Sequence, residues 1–255
     1  MITLNTKEYT GGTLFAQLIE VSGWRGALEG MRNPKNSWRL NDTKYIVQYD
    51  TAYNGKINPS IMADIGANDM RLAQTLIKAG GEHRKFLRMI HVQVNLNLPR
   101  YIWSEFDTYH FNTKNSTSTM HKLLNEDDEK DWRETELDRI LSTRGDLTIK
   151  NFFVANEDVE TIECTIAKLN EIKELFFEAK TTAEKKHLRR RAKQLLPESW
   201  LQMRTVDTNY EELRNIFLQR QHHLLDVEWT LVCDFIKSLP YAEELILHAT
   251  KKGEQ

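Results

Sequence analysis

Cysteine, proline and net charge are all scarce in this 255-residue chain, and each shortage excludes something. Its two cysteines, Cys164 and Cys233, lie far apart and the opening residues show no secretory pattern. A disulfide framework is therefore not expected; both residues are expected as buried thiols in a reducing cytoplasm. A formal net charge of −2 lacks the basic excess that nucleic acid or an anionic membrane demands, so neither is expected as a partner. No apolar run approaches the roughly 18 to 20 residues needed to span a bilayer. With five prolines and no Pro/Gly/Ser-rich linker, nothing divides the chain, and a 28% charged fraction with long 3.6-periodic stretches points to a helix-rich globular fold. Phosphate-loop and G-x-S-x-G patterns are both missing. His222 and His223 are adjacent, project some 100° apart on a helix and have no spaced carboxylate or cysteine partner, so no metal site is expected.

What is present is mostly periodic. Residues 14–21 form an amphipathic stretch of undecided type, whereas Tyr45, Val47 and Tyr49 alternate as a strand does, with a turn expected at Asn54-Gly55. A helix is predicted over 69–79, stopped by Gly80-Gly81. Ile90, Val92, Val94, Leu96 and Leu98 then alternate strictly with His91, Gln93, Asn95 and Asn97, giving a strand with one core face and one polar face; that polar face could border solvent or a cleft shared between subunits. Pro99 ends the strand and opens a helix expected over 100–110. The hydroxyl-rich residues 113–119 read as a loop or helix entrance, and 126–136 as a charged, solvated segment. Further helices are expected over 158–179, from the Thr181/Glu184 capping box to Leu196-Pro197, over 208–222, and from Asp226 to Leu239-Pro240.

The 208–222 helix carries the most informative spacing. Leu213, Ile216 and Phe217 stand at i, i+3 and i+4, and Arg220 falls at i+7 on the same stripe, so its guanidinium should point inward and needs an anionic or carbonyl-rich partner. Asn209 and Asn215 lie toward the same side, which makes that side a candidate binding wall. A structural salt bridge to a neighbouring helix is the competing explanation for Arg220. The basic run from Lys185 to Lys193 reads as a solvated helix face, with Lys193 as its last member.

Together, residues 81–119 and 195–220 resemble the flavin-dependent thymidylate synthases. In that family a Leu-Pro pair precedes Asn-x5-Asn-x4-Arg on a helix; here Leu196-Pro197 precede Asn209, Asn215 and Arg220. The resemblance implies that Asn209 and Asn215 touch FAD, that Arg220 holds the pyrimidine of deoxyuridylate and stabilises its negative charge as the catalytic residue, and that Lys193 contacts the nucleotide in place of an arginine. Glu82-His83 opens the N-terminal match, with His83 toward the flavin. The family signature Arg-His-Arg-x-x-Ser falls on Thr108-Tyr109-His110-Phe111-Asn112-Thr113, so both arginines are absent from flavin-facing positions, now Thr108 and His110. After it, Asn115 and Ser118 match the family's nucleotide-binding loop, while Ser116 and Met120 do not, and Glu105 stands where a glutamine would face the nucleotide.

The implied fold is α+β, a helix-rich single domain over 1–255 with an antiparallel sheet and a charged insertion around 125–157. The implied activity is methylation of dUMP to dTMP with FAD, NADPH and methylenetetrahydrofolate, in a homotetramer whose sites lie between subunits. No cysteine attack is required. Two alternatives stay open: a non-catalytic nucleotide-binding relative, or a flavin-independent transferase using Glu105 or Asp107.

Overall fold

The computed structural model describes residues 1–4, 7–51, 57–124 and 145–249. The turn expected at Asn54-Gly55 and the charged segment 126–136 lie outside the described residues.

A five-stranded antiparallel sheet organises the chain, in the order β1 (Ile2–Leu4), β3 (Leu14–Ser22), β6 (His91–Pro99), β9 (Leu201–Asn209) and β7 (Thr113–Ser116). Strand β6 is its spine. Ile90, Val92, Val94, Leu96 and Leu98 are all buried on one face, as their strict alternation requires. The opposite face is not simply solvated. Asn95 donates to Gln17 Oε1 at 3.2 Å and accepts from Thr205 Oγ1 at 2.7 Å, while Asn97 donates to the Thr13 carbonyl at 2.8 Å. Gln17, Asn95, Thr205 and Asn115 stand in register across four strands, so amides and hydroxyls knit the sheet where apolar pairs would otherwise do so.

Helices α1 (Trp24–Gly30), α2 (Ala67–Lys78), α3 (Arg100–Phe106), α7 (Tyr210–Arg220) and α8 (Asp226–Lys237) supply the rest of the principal core, which includes Trp24, Trp103, Phe106, Tyr210 and Trp229. Each buried large side chain contributes about 1.5–3 kcal/mol relative to exposure. Entry into α1 depends on Gly23 at φ +84°, where a Cβ would stand 1.9 Å from the Met89 carbonyl oxygen. A hairpin of β4 (Lys44–Thr51) and β5 (Ile57–Asp64) leads to α2, and Gly80 at φ +105° follows its end as expected.

A second cluster forms beneath α5 (Val159–Glu178) and α6 (Thr182–Leu195), joined by the Thr181/Glu184 capping box. Ile166, Leu169, Ile172 and Phe176 pack with Leu188, Ala192, Phe152 and Trp200 there. Of the insertion expected around 125–157, residues 145–157 are built into the fold: Leu147, Phe152 and Val154 are core, and β8 (Phe153–Ala155) pairs with β2 (Tyr9–Gly11). No helix among the described residues is long and apolar enough to cross a membrane.

Several local expectations change. Residues 14–21, whose type the sequence left open, are strand, with a register shift between Leu18 and Glu20. Helix α3 ends at Phe106 rather than residue 110, because Tyr109 turns in to meet α7. Residues 113–116 pair along β9 as an edge strand, and the helix entrance follows in α4 (Thr119–Leu123). Thr208 lies within β9, and Asn209, the last residue of that strand, is the one that caps α7. Asp226 is the first residue of α8, and Leu225 stands at the cap position. Cys164 is exposed, on the solvent side of the stripe formed by Ile166 and Leu169, whereas Cys233 is buried and its thiol is pushed up to about 11 by desolvation.

Candidate functional site at the two ends of helix α7

Strand β9 runs directly into α7, and Asn209 makes the junction. Its Oδ1 accepts the Glu212 backbone N–H at 3.0 Å, satisfying one of the free donors of the first turn, while its Nδ2 donates to the Phe111 carbonyl at 3.4 Å. Leu213, Ile216 and Phe217 then bury their side chains, and the phase carries Arg220 inward, to 14% side-chain exposure.

Arg220 meets residues from α3, the turn after it and α8. Its Nη1 donates to Glu105 Oε2 at 2.7 Å and its Nε to the Tyr109 hydroxyl at 2.8 Å. The guanidinium carbon lies 4.6 Å from the Trp229 ring centroid, and Trp229 Nε1 donates to the same Glu105 oxygen at 3.2 Å. His223 Nε2 stands 3.4 Å from that oxygen. Tyr109 passes the contact on: its hydroxyl donates to Gln219 Oε1 at 3.0 Å, and Gln219 Nε2 donates to Asn215 Oδ1 at 2.9 Å. Burial raises the Tyr109 pKa, against the opposing pull of the Arg220 hydrogen bond, so the phenol stays protonated. One carboxylate, one indole face and one phenol thus fix the arginine in place.

The first turns of α7 are built differently. A cavity of about 150 Å³ is lined there by Arg84, Arg88, Phe111, Asn209, Arg214 and Asn215, among others. Next to it lies one of about 270 Å³, lined by His91, His110, Phe111, Asn112, Asp207 and Asn209. Phe111 and Asn209 border both, and the Phe111 ring is 62% exposed. Two polar atoms around this double cleft are buried without a hydrogen bond, Arg214 Nε and Asn112 Oδ1, while Asp207 Oδ1 faces His91 Nδ1 at 3.5 Å. Desolvation, with Arg84 nearby, lowers the Arg214 pKa. A cleft with an exposed ring, an amide pair, a free guanidinium donor at one end and a free amide acceptor at the other suits a polar ligand with a flat face. Among the described residues no cluster of His, Cys, Asp and Glu could hold a metal ion.

Comparison with solved structures finds the same fold elsewhere. Thymidylate synthase X from Helicobacter pylori, solved with FAD and dUMP, superposes with a TM-score of 0.60 over 94% of this chain and 99% of that one, at 15% identity. A second structure of the flavin-dependent thymidylate synthase from the same organism, also complexed with FAD and dUMP, gives 0.59 over 92% and 98%, at 17% identity. The fold is that of the flavin-dependent thymidylate synthases. No protein-family model matches the sequence, and no curated protein sequence matches it.

On this thymidylate synthase fold, the residues singled out in the sequence fall into three groups. Arg220 and Glu105 are in direct contact, and Asn209 and Asn215 line one cavity with His110 in its neighbour. Thr108 and His83 are exposed in turns, and neither lines these cavities; Thr108 Oγ1 donates to the Glu105 carbonyl at 2.7 Å. Asn115 on β7, Ser118 at the entrance to α4 and Lys193 on α6 are exposed and also lie outside both cavities. Ser118 Oγ accepts from the His121 backbone N–H at 3.4 Å.

The structure adds Arg84, Arg88, Phe111, Arg214 and Tyr109, which sequence reasoning passed over. Two arginines four apart, opening three residues after Gly81, were a usable signal for the first two. Arg214 gave none. Residues 210, 212, 213, 214, 216 and 217 are all buried, an arc much wider than one apolar stripe, so position 214 looked like the solvent side.

Proposed function

We propose that this chain is a flavin-dependent enzyme acting at C5 of a pyrimidine deoxynucleotide, in the manner of a thymidylate synthase, converting dUMP to dTMP with methylenetetrahydrofolate as the one-carbon donor and NADPH as the reductant. The observation that carries the reading is the arrangement on α7: Asn209 and Asn215 on the cleft at its first turns and Arg220 one to three turns further along, within a fold shared over nearly the whole chain with enzymes solved with FAD and dUMP. FAD, when bound, supplies the reducing equivalents. Asn209 and Asn215 would hold it, with His110 in the adjoining cleft, while His83 and Thr108, outside both clefts, would belong to the flavin side by the resemblance alone.

Arg220 would receive the pyrimidine and stabilise negative charge on it as C5 becomes nucleophilic. The Glu105 and Tyr109 contacts orient its guanidinium through Nη1 and Nε, which leaves Nη2 as the donor for the base. Glu105, Asn115, Ser118 and Lys193 complete the nucleotide site. The last three lie outside the clefts around α7, and a second copy would bring them there in a shared-site homotetramer; a cytoplasmic location belongs to the same reading. Cys233, buried with a raised pKa, is unsuited to nucleophilic attack, in keeping with a mechanism that needs none.

One observation favours a second reading, a nucleotide-binding relative without flavin chemistry: Thr108 and His110 stand where the resemblance expects arginines. The absorption spectrum of the purified or FAD-reconstituted protein, followed by calorimetric titration with dUMP, separates the two. Flavin bands with dUMP binding support the enzyme; dUMP binding without flavin supports the relative. Absence of both removes each reading, and a monomer by light scattering removes the shared site.

A further inference from the structure

We infer that the cavity at the first turns of α7 is an anion site that takes a phosphate group, with Arg88 as its open cation. Three guanidinium groups, from Arg84, Arg88 and Arg214, face two carboxylates there, Glu211 and Glu212. Their pairings are uneven. Arg84 Nε lies 2.9 Å from both oxygens of Glu211, so those two charges are matched. Glu212, 5% exposed, turns toward the Phe111 backbone N–H at 3.3 Å.

Arg214, also 5% exposed, is held through Nη1 by the carbonyl oxygens of Ile246 and His248, and its buried Nε has no partner. Arg88 is exposed; its guanidinium carbon sits 5.6 Å from the Phe111 ring centroid, and among the described residues it forms no ion pair or hydrogen bond.

A buried guanidinium donor without an acceptor is costly unless an acceptor arrives from outside. A cavity of about 150 Å³ with a surplus cation, two amide side chains and the positive end of an 11-residue helix presents the donors a phosphate oxygen requires. The exposed Phe111 ring beside it offers a flat face for whatever the phosphate is attached to. A metal cation is disfavoured by the same surplus charge. On the functional reading above, on which only the source of the phosphate rests, this site would supply the positive charge missing at Thr108 and His110, and the phosphate would come from FAD or from dUMP.

Calorimetric titration of the full-length protein with inorganic pyrophosphate, FAD and dUMP, in wild type, Arg88→Ala and Arg88→Lys, tests it, with thermal melting as the fold control. Pyrophosphate affinity is expected to fall about tenfold in Arg88→Ala and to recover in part in Arg88→Lys, with melting unchanged. Whichever of FAD and dUMP weakens in parallel identifies the source. No pyrophosphate binding to wild type at millimolar concentration, or affinity within twofold in Arg88→Ala, overturns the site. Arg88-dependent pyrophosphate binding without FAD or dUMP binding supports the site and removes the functional reading; Arg88-dependent pyrophosphate binding with FAD and dUMP binding indifferent to Arg88 supports the site, removes both as the source of its phosphate and leaves that reading intact.

Discussion

Helix α7 carries arginines near both ends, and the two ends treat them in opposite ways. Near the C-terminal end, Arg220 has a carboxylate, a phenol and an indole face arranged around it, and those groups also bind one another through Glu105 and Trp229. Near the N-terminal end, Arg214 has carbonyl partners but a stranded Nε, and Arg88 has only the face of an exposed ring. Both ends hold cations beside aromatic rings. A guanidinium whose donors are met by the chain is explained by the chain, and one whose donors are not met points to something else that meets them. The C-terminal end is therefore preorganised, and the N-terminal end is receptive.

The contrast can be tested by stability before any ligand is added. The largest effect is expected from Glu105→Ala, which leaves Arg220 beside Trp229 without its counter-charge; fully buried pairs cost about 3–5 kcal/mol to break, and partial exposure here reduces this to about 2 kcal/mol. A double-mutant cycle with Arg220→Ala by chemical denaturation should show coupling between the two, and additive losses would mean that the ends of the helix do not differ in this way. Next comes Asn209→Ala, which removes the α7 cap and should cost about 1 kcal/mol, with Asn209→Ser recovering most of it. If serine restores stability but not FAD affinity, the amide has a binding role beyond its capping role. The smallest effect is expected at Arg88→Ala, within about 0.5 kcal/mol, as for a surface residue without partners. A loss as large as that of Glu105→Ala would show that Arg88 is structural and would end the contrast.

How much of this was legible in the chain differs by residue. Strand β6 was readable end to end because its period-2 alternation coincides with one fully buried face. Strand β9 was not, although it pairs with β6 over nine residues, because Val206 and Leu201 are its only buried apolar side chains and its partners hold it mainly through backbone. At the site, the phase of α7 placed Arg220 inward and placed Asn209 and Asn215 on one side, but could not name Glu105 as the counter-ion, 115 residues away in sequence. Nor could it separate the cap from the cleft at Asn209, since one amide serves both.

By itself the sequence determined the local features: where α2, α5, α6 and α8 run, the core face of β6, the inward turn of Arg220, and a spacing on α7 that resembles one family. Periodicity and capping act within a few residues, so they survive without knowledge of the rest. Tertiary structure alone decided which charges cancel. Whether Arg220 is satisfied and Arg88 is not depends on what α3, α8 and the turn at Phe111 bring to α7, and those approaches are set by packing across the core between segments remote in sequence.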